Sequence, residues 1–144
     1  MKEKLSVVGE LKFYNGKGEL VREEKNLVVN TGLNVIAERL IGIAKNAISH
    51  MAIGTGTTAA NAADLALEIP KATRIAPTSI TVTGAVITII ATFSGATHAG
   101  AITEAGLFNA ATLGELISRV VFAPYNLGSS DALTITWTLT FANI

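Results

Sequence analysis

Residues 132–141 read Ala-Leu-Thr-Ile-Thr-Trp-Thr-Leu-Thr-Phe. Leu133, Ile135, Trp137, Leu139 and Phe141 take alternate positions, with Thr134, Thr136, Thr138 and Thr140 between them. A strand turns successive side chains to opposite faces, so this segment predicts a β-strand with one wholly apolar face. At ~1.5–3 kcal/mol per fully buried large side chain, that face calls for a sheet to cover it. Residues 5–14 alternate in the same sense, with Leu5, Val7, Leu11 and Phe13 on one face and Glu10 and Lys12 on the other. Asn15-Gly16-Lys17-Gly18 predicts a turn, because its glycines tolerate positive φ. Residues 19–29 return as a second strand whose middle, Arg22-Glu23-Glu24-Lys25, is charged on both faces. That fits a plain solvated face, or an edge strand guarded against stray pairing.

The period changes after Asn30-Thr31-Gly32. Leu33, Ile36, Ala37, Leu40, Ile41 and Ala44 recur at helical spacing and predict a helix over 31–45, with Asn30 or Thr31 as its cap. Its apolar stripe is expected to plug one opening of the β fold. Residues 48–53 read as a short buried strand, ended by Gly54-Thr-Gly-Thr-Thr58, and 59–71 as an irregular connection with one helical turn around 62–67 and a stop at Pro70. Residues 78–83 and 85–93 form two strands around Gly84, or one bent strand with a bulge there. Residues 94–100 read as a flexible surface loop, 102–109 and 116–122 as strands around a turn at 110–115, and 124–131 as a loop. Seven to nine short strands and one helix predict a mainly β chain, a jelly-roll-like two-sheet β-sandwich in a single domain over 1–144. A closed barrel is the alternative.

Composition bears on what such a fold is for. The chain has 144 residues, 15% of them charged against a usual ~25%, and mean hydropathy is +0.47. Net charge is zero, which argues against nucleic acid as a partner and favours association. Of the 22 charged residues 14 lie in positions 1–45, so the remaining two thirds read as core plus interface. No cysteine is present, hence no disulfide and no thiolate metal site. The first ten residues lack the apolar run of a signal peptide, and the run at 85–91 is too short to span a membrane.

The chemistry-bearing residues form no recognised constellation. Gly54-Thr55-Gly56 lacks the third glycine or the Gly-Lys-Ser/Thr of a phosphate loop and reads as a turn between strands. His50 reads as a satisfied core or interface residue and His98 as solvated; neither has ligands at zinc spacing. Ser94-Gly95 lacks the setting of a nucleophile elbow. Asp64 and Glu68, four apart, would share a helical face and form at most a weak cation site. Glu104 is expected to make a buried or turn-closing hydrogen bond, and Trp137 to be core. No catalytic, cofactor-binding or metal-ligating residue is therefore assigned, and the chain is expected not to be an enzyme.

Three stretches carry a resemblance: Asn26-Leu-Val-Val-Asn-Thr-Gly-Leu-Asn34 entering the helix, Ile48-Ser-His-Met-Ala-Ile-Gly-Thr-Gly-Thr-Thr58, and Thr103-Glu-Ala-Gly-Leu-Phe-Asn-Ala110. With the Thr-alternating last strand they resemble small virion structural proteins of tailed bacteriophages and prophages. The Thr103–Phe108 stretch is also similar to one in phage tail-collar and tail-fibre proteins. The resemblance implies a virion component, a capsid cement or decoration protein that clamps neighbouring capsid subunits, or alternatively a tail, collar or fibre component. It implies capsid protein and further copies of the chain (homodimer or homotrimer) as partners, no nucleic acid and no membrane, and a host-surface ligand only for the tail alternative. The place implied is the capsid exterior, with synthesis in the host cytoplasm. The contact elements would be the N-terminal hairpin, the 54–71 connection and the 94–100 loop.

Overall fold

The computed structural model describes residues 3–143. Met1, Lys2 and Ile144 lie outside the described residues, and with them the start of the segment read as lacking a signal peptide.

The Thr-alternating segment forms β8 (Ala132–Asn143), and its period is realised in burial: Leu133, Ile135, Trp137 and Leu139 are buried while the threonines between them stay half-exposed. Phe141 is only half-buried. β8 lies between β1 (Leu5–Tyr14) and β5 (Val86–Ser94), antiparallel to both. Leu11 stands opposite Trp137, and Trp137 opposite Ile89, so an apolar row crosses the three strands. Trp137 also needs a partner for its indole N–H. Asn26 of β2 (Leu20–Val28) supplies it, its Oδ1 accepting from Nε1 at 3.1 Å. The Asn26 amide reaches Trp137 by crossing Gly9 of β1, where a Cβ would fall on the amide itself. Asn15–Gly18 makes the expected turn, with Gly18 at φ +79°.

The rest of the chain extends this sheet in both directions. β4 (Ser79–Thr83) pairs with β5 around Gly84, at φ +59°, which settles the open choice there as two strands. On the other side β2 pairs with β1 and then, at Leu27 and Val28, with β7 (Leu116–Leu127); β7 pairs with β6 (Gly100–Phe108), and β6 with β3 (His50–Gly54). The order is β3-β6-β7-β2-β1-β8-β5-β4, one antiparallel sheet curled into a half-barrel. The chain is mainly β as expected, but the strands form one continuous sheet where two were expected. The reason lies in β2, whose first part serves β1 and whose last residues serve β7, so it carries hydrogen bonding across what would be the gap. The curl brings Leu11, Phe13, Ile89, Phe93, Ile135 and Trp137 into one core with Met51, Ile53, Leu107, Ile117 and Phe122.

Further corrections have local causes. β2 is interior in the strand order, not an edge strand; its charged middle pairs with β1 alone, and Arg22 reaches across to the carbonyls of Ala123 and Pro124 on β7. The helix, α1 (Asn30–Leu40), is shorter than 31–45, since Gly42 takes φ +81° just beyond it. Neither Asn30 nor Thr31 caps it: the cap position is Val29, without a side-chain bond, and the Thr31 hydroxyl donates to Leu116 O instead. Its stripe does not complete the core. Gly32 and Val35 are buried, but Leu40 is 85% exposed. Residues 62–67 make no helical turn; the Asn61 main-chain amide donates to Asp64 Oδ2 and the Ala63 amide to Asn61 Oδ1, which holds a tight turn there. The loop expected at 94–100 contains a one-turn helix, α2 (Gly95–His98), capped by Ser94. β7 runs on through Pro124 to Leu127, where the sequence predicts a loop over 124–131.

Candidate functional site: a carboxylate held under a glycine strap

β6 does not alternate. Residues 102–108 are all buried, because the sheet is covered on both sides there. An irregularity in register between Ile102 and Glu104 redirects the side chains. Ala105 and Leu107 then face the main core, whereas Phe108 joins Val29, Ala52, Leu67 and Leu116 in a smaller cluster. Glu104 lies fully buried beneath the segment that follows β3.

That segment wraps the carboxylate with main-chain donors. Glu104 Oε1 accepts from Gly56 N at 3.1 Å and Ile69 N at 2.8 Å, and Oε2 from Glu68 N at 3.0 Å. Arg119 on β7, 2% exposed, donates to Oε2 from Nε at 3.0 Å, and its Nη2 lies in ion-pair contact 2.9 Å from the same oxygen. Its Nη1 donates to Asp64 Oδ2 at 2.8 Å, and Nη2 to Thr58 O at 3.0 Å. The Thr103 hydroxyl donates to Gly56 O at 2.7 Å. Gly54 and Gly56 are required by this approach, since a Cβ at either would strike Glu104 itself and, respectively, Ile69 O or the Glu68 Cβ. The Gly54-Thr55-Gly56 turn thus does cradle an anion, and the anion is the chain's own.

A buried ion cluster of this kind lasts only if every polar atom is partnered. Here three main-chain N–H groups supplement the single cation between two carboxylates. Burial alone would push the Arg119 guanidinium down; the Asp64 and Glu104 carboxylates outweigh that and hold it above its ordinary value. Glu68 faces outward and fastens the same strap. The Thr58 hydroxyl and the Thr58 and Thr57 amides donate to its carboxylate and hold it below the usual range. Asp64 and Glu68 therefore serve different partners and share no helical face. An ionised carboxylate has about four acceptor sites. Those of Glu104 are taken up by three amides and the guanidinium, so the arrangement acts as a clasp between β6, β7 and residues 56–69.

The other singled-out residues are also accounted for. His98 is 2% exposed, a correction to its expected solvation: its ring meets Phe93 edge-on, Nδ1 lies 2.7 Å from the Thr97 hydroxyl and Nε2 donates to Thr73 O at 2.9 Å. His50 is half-buried, with Nδ1 2.9 Å from the Ser49 hydroxyl. Glu104 takes the hydrogen-bonding position expected of it, and Trp137 lies in the core. Arg119 was not singled out. The signal was a single Arg within the apolar run Leu116-Ile-Ser-Arg-Val-Val-Phe122, facing an equally isolated Glu on a neighbouring strand. Among the described residues no group of three or more His, Cys, Asp or Glu could hold a metal ion, and no helix is long and apolar enough to cross a membrane.

Grooves on the surface include two of note among the described residues. One, of about 490 Å³, runs over β1 and β2 between Glu10, Lys12, Glu23, Glu24 and Lys25. The other, of about 400 Å³, is apolar and lies between α1 and the sheet, lined by Val35, Ile36, Leu40, Ile48, Ile87 and Phe141 among others. Against known proteins the chain matches no family model, no curated protein and no solved structure.

Proposed function

We propose that the protein is a structural component of a tailed-phage virion, a capsid cement or decoration protein that clamps neighbouring capsid subunits. The observation that carries this reading is where the three stretches bearing the resemblance meet. Residues 48–58 and 103–110 pair as β3 and β6 and close on Glu104; residues 26–34 join them through β7, beside Arg119. The second and third of these motifs are thus parts of one clasp, with Glu104 and Thr103 bonded to Gly56, while Asn26 of the first bonds Trp137. A shared motif of that sort supports common architecture in place of common catalysis.

What the chain turns outward suits a clamp. Between residues 75 and 103 it has no Asp, Glu, Lys or Arg, and large apolar side chains stand exposed on α1 and β4. In this reading each copy buries neutral surface against capsid protein and against other copies on the capsid exterior, and the curled sheet plays the part of the jelly-roll-like clamp. Contacts made to two or more subunits reinforce each other through effective concentration. The charged hairpin of β1 and β2 and the exposed Leu65 and Ile69 of the strap are suitable contact elements. The 94–100 segment is a poorer one, since Gly95 and His98 are buried.

The decisive measurement is copy number, by quantitative mass spectrometry of purified particles. The expected result is a number commensurate with the shell subunits, together with shells that open at lower temperature when the protein is omitted. A few copies per particle would move it to the tail, collar or fibre, the reading favoured by the Thr103–Phe108 stretch. Absence from particles would overturn both.

A further inference from the structure

The two margins of the sheet are treated differently. At β3 the chain covers its own edge: Met51 and Ile75 exchange main-chain hydrogen bonds, Lys71 N donates to Ile53 O and Thr55 N to Ile69 O, each at 2.9 Å. At β4 none of the described residues pairs with the outer edge, and β5 is its one neighbour. Such an edge leaves alternate N–H and C=O groups free, and natural sheets guard it with Lys, Pro or a bulge. β4 reads Ser79-Ile-Thr-Val-Thr83, with no such guard within it.

The core rows also run off this margin. Leu11, Trp137, Ile89 and Ile80 stand opposite one another in turn across β1, β8, β5 and β4. Leu139, Ile87 and Val82 make a parallel row. Trp137 and Ile89 are fully buried, yet Ile80 is 46% and Val82 69% exposed, so the apolar layer reaches the edge without a cover. The apolar groove under α1 adjoins the same margin through Ile87.

We propose that β4 is a self-association edge, and that its occupant is β4 of a second copy, antiparallel about a two-fold axis at Thr81. That register sets Ile80 against Val82 of the partner copy on the core face and Thr81 against Thr81 on the other face. Apolar therefore meets apolar and hydroxyl meets hydroxyl. The absence of charge from 75 to 103 removes the repulsion that would oppose two identical edges. The pairing joins two half-barrels into one sixteen-stranded sheet and continues both apolar rows across the axis. A two-fold contact of this type is closed, so it stops at a dimer. This deepens the self-association in the proposed function but rests on the sheet edge alone.

The test uses the isolated chain, so its outcome is separate from that of the particle measurements. Sedimentation equilibrium should give twice the chain mass, and V82K or I80K should weaken dimerisation on the order of tenfold or more, with Trp137 fluorescence unchanged. Because the chain has no cysteine, T81C should form an intermolecular disulfide on mild oxidation, whereas S129C, on an exposed loop, should not. A monomer at every concentration, or a dimer indifferent to V82K and I80K with T81C uncrosslinked, overturns the proposal. So does a monomer whose binding to shells is lost on V82K, which would assign the edge to another protein's strand.

Discussion

Glu104 shows how much structure a single side chain can organise when it is buried with charge. Removing one partner of a buried pair leaves the other desolvated and unpaired, typically at ~3–5 kcal/mol. Glu104→Ala should therefore lower unfolding stability by about that amount in urea titration and expose the Gly56 and Ile69 amides to hydrogen exchange. Removing Arg119 as well should cost less than the two losses added, because neither charge is then stranded. Glu68, on the solvent side, predicts the acid response. Its folded pKa lies below the ordinary 4.5, so its contribution is present above that value and lost as the pH falls through the folded pKa. Stability measured below pH 4.5 should fall less steeply in Glu68→Gln than in the parent. Gly9 sets a different constraint, since a methyl group there displaces Asn26 and strands the Trp137 indole N–H. Gly9→Ala should cost about 1–3 kcal/mol, with a shift in emission from the single tryptophan.

At the scale of elements, legibility followed exposure. β1 and β8 were readable because one face is buried and the other meets solvent, so polarity alternates with the pleat. β6 and β7 are covered on both sides over much of their length; their alternation is lost, and with it the end of β7 and the pairing of Glu104 with Arg119. The sheet's continuity was not readable either, because it depends on the two residues of β2 that pair with β7. α1 illustrates the opposite failure, in which a regular apolar stripe implies a covering that the fold does not supply. His98 looked solvated among small residues because nothing local announces Phe93 and Thr73 O, which enclose it. The centre of the sheet predicts a large penalty: Trp137→Ala should destabilise by about 3–5 kcal/mol in thermal or urea unfolding. Gly42→Ala, just past α1 at positive φ, should cost about 1 kcal/mol and fray the last turn of the helix.

For the whole molecule, the division of charge and the division of the sheet coincide in part. The N-terminal hairpin keeps charged residues on a solvated groove, while the β4–β5 half is neutral up to an open margin. Raising the salt concentration should therefore leave self-association through β4 nearly unchanged, whereas contacts made by the β1–β2 face should weaken, since only the latter are screened. Comparing sedimentation with shell binding over a salt series separates the two surfaces.

β8 lies between β1 and β5, and of the eight strands it is the last to be translated. A nascent chain thus emerges with the apolar rows of β1 and β5 already made and nothing between them to receive them. Collapse to the finished fold must wait until the ribosome has delivered residues 132–143, and the closing step joins β8 to β1, segments far apart in sequence. Non-local closure of that kind is slow and leaves sticky intermediates open to aggregation. Yield in the cell should accordingly depend on holdase chaperones and on growth temperature more than the stability of the finished molecule would suggest.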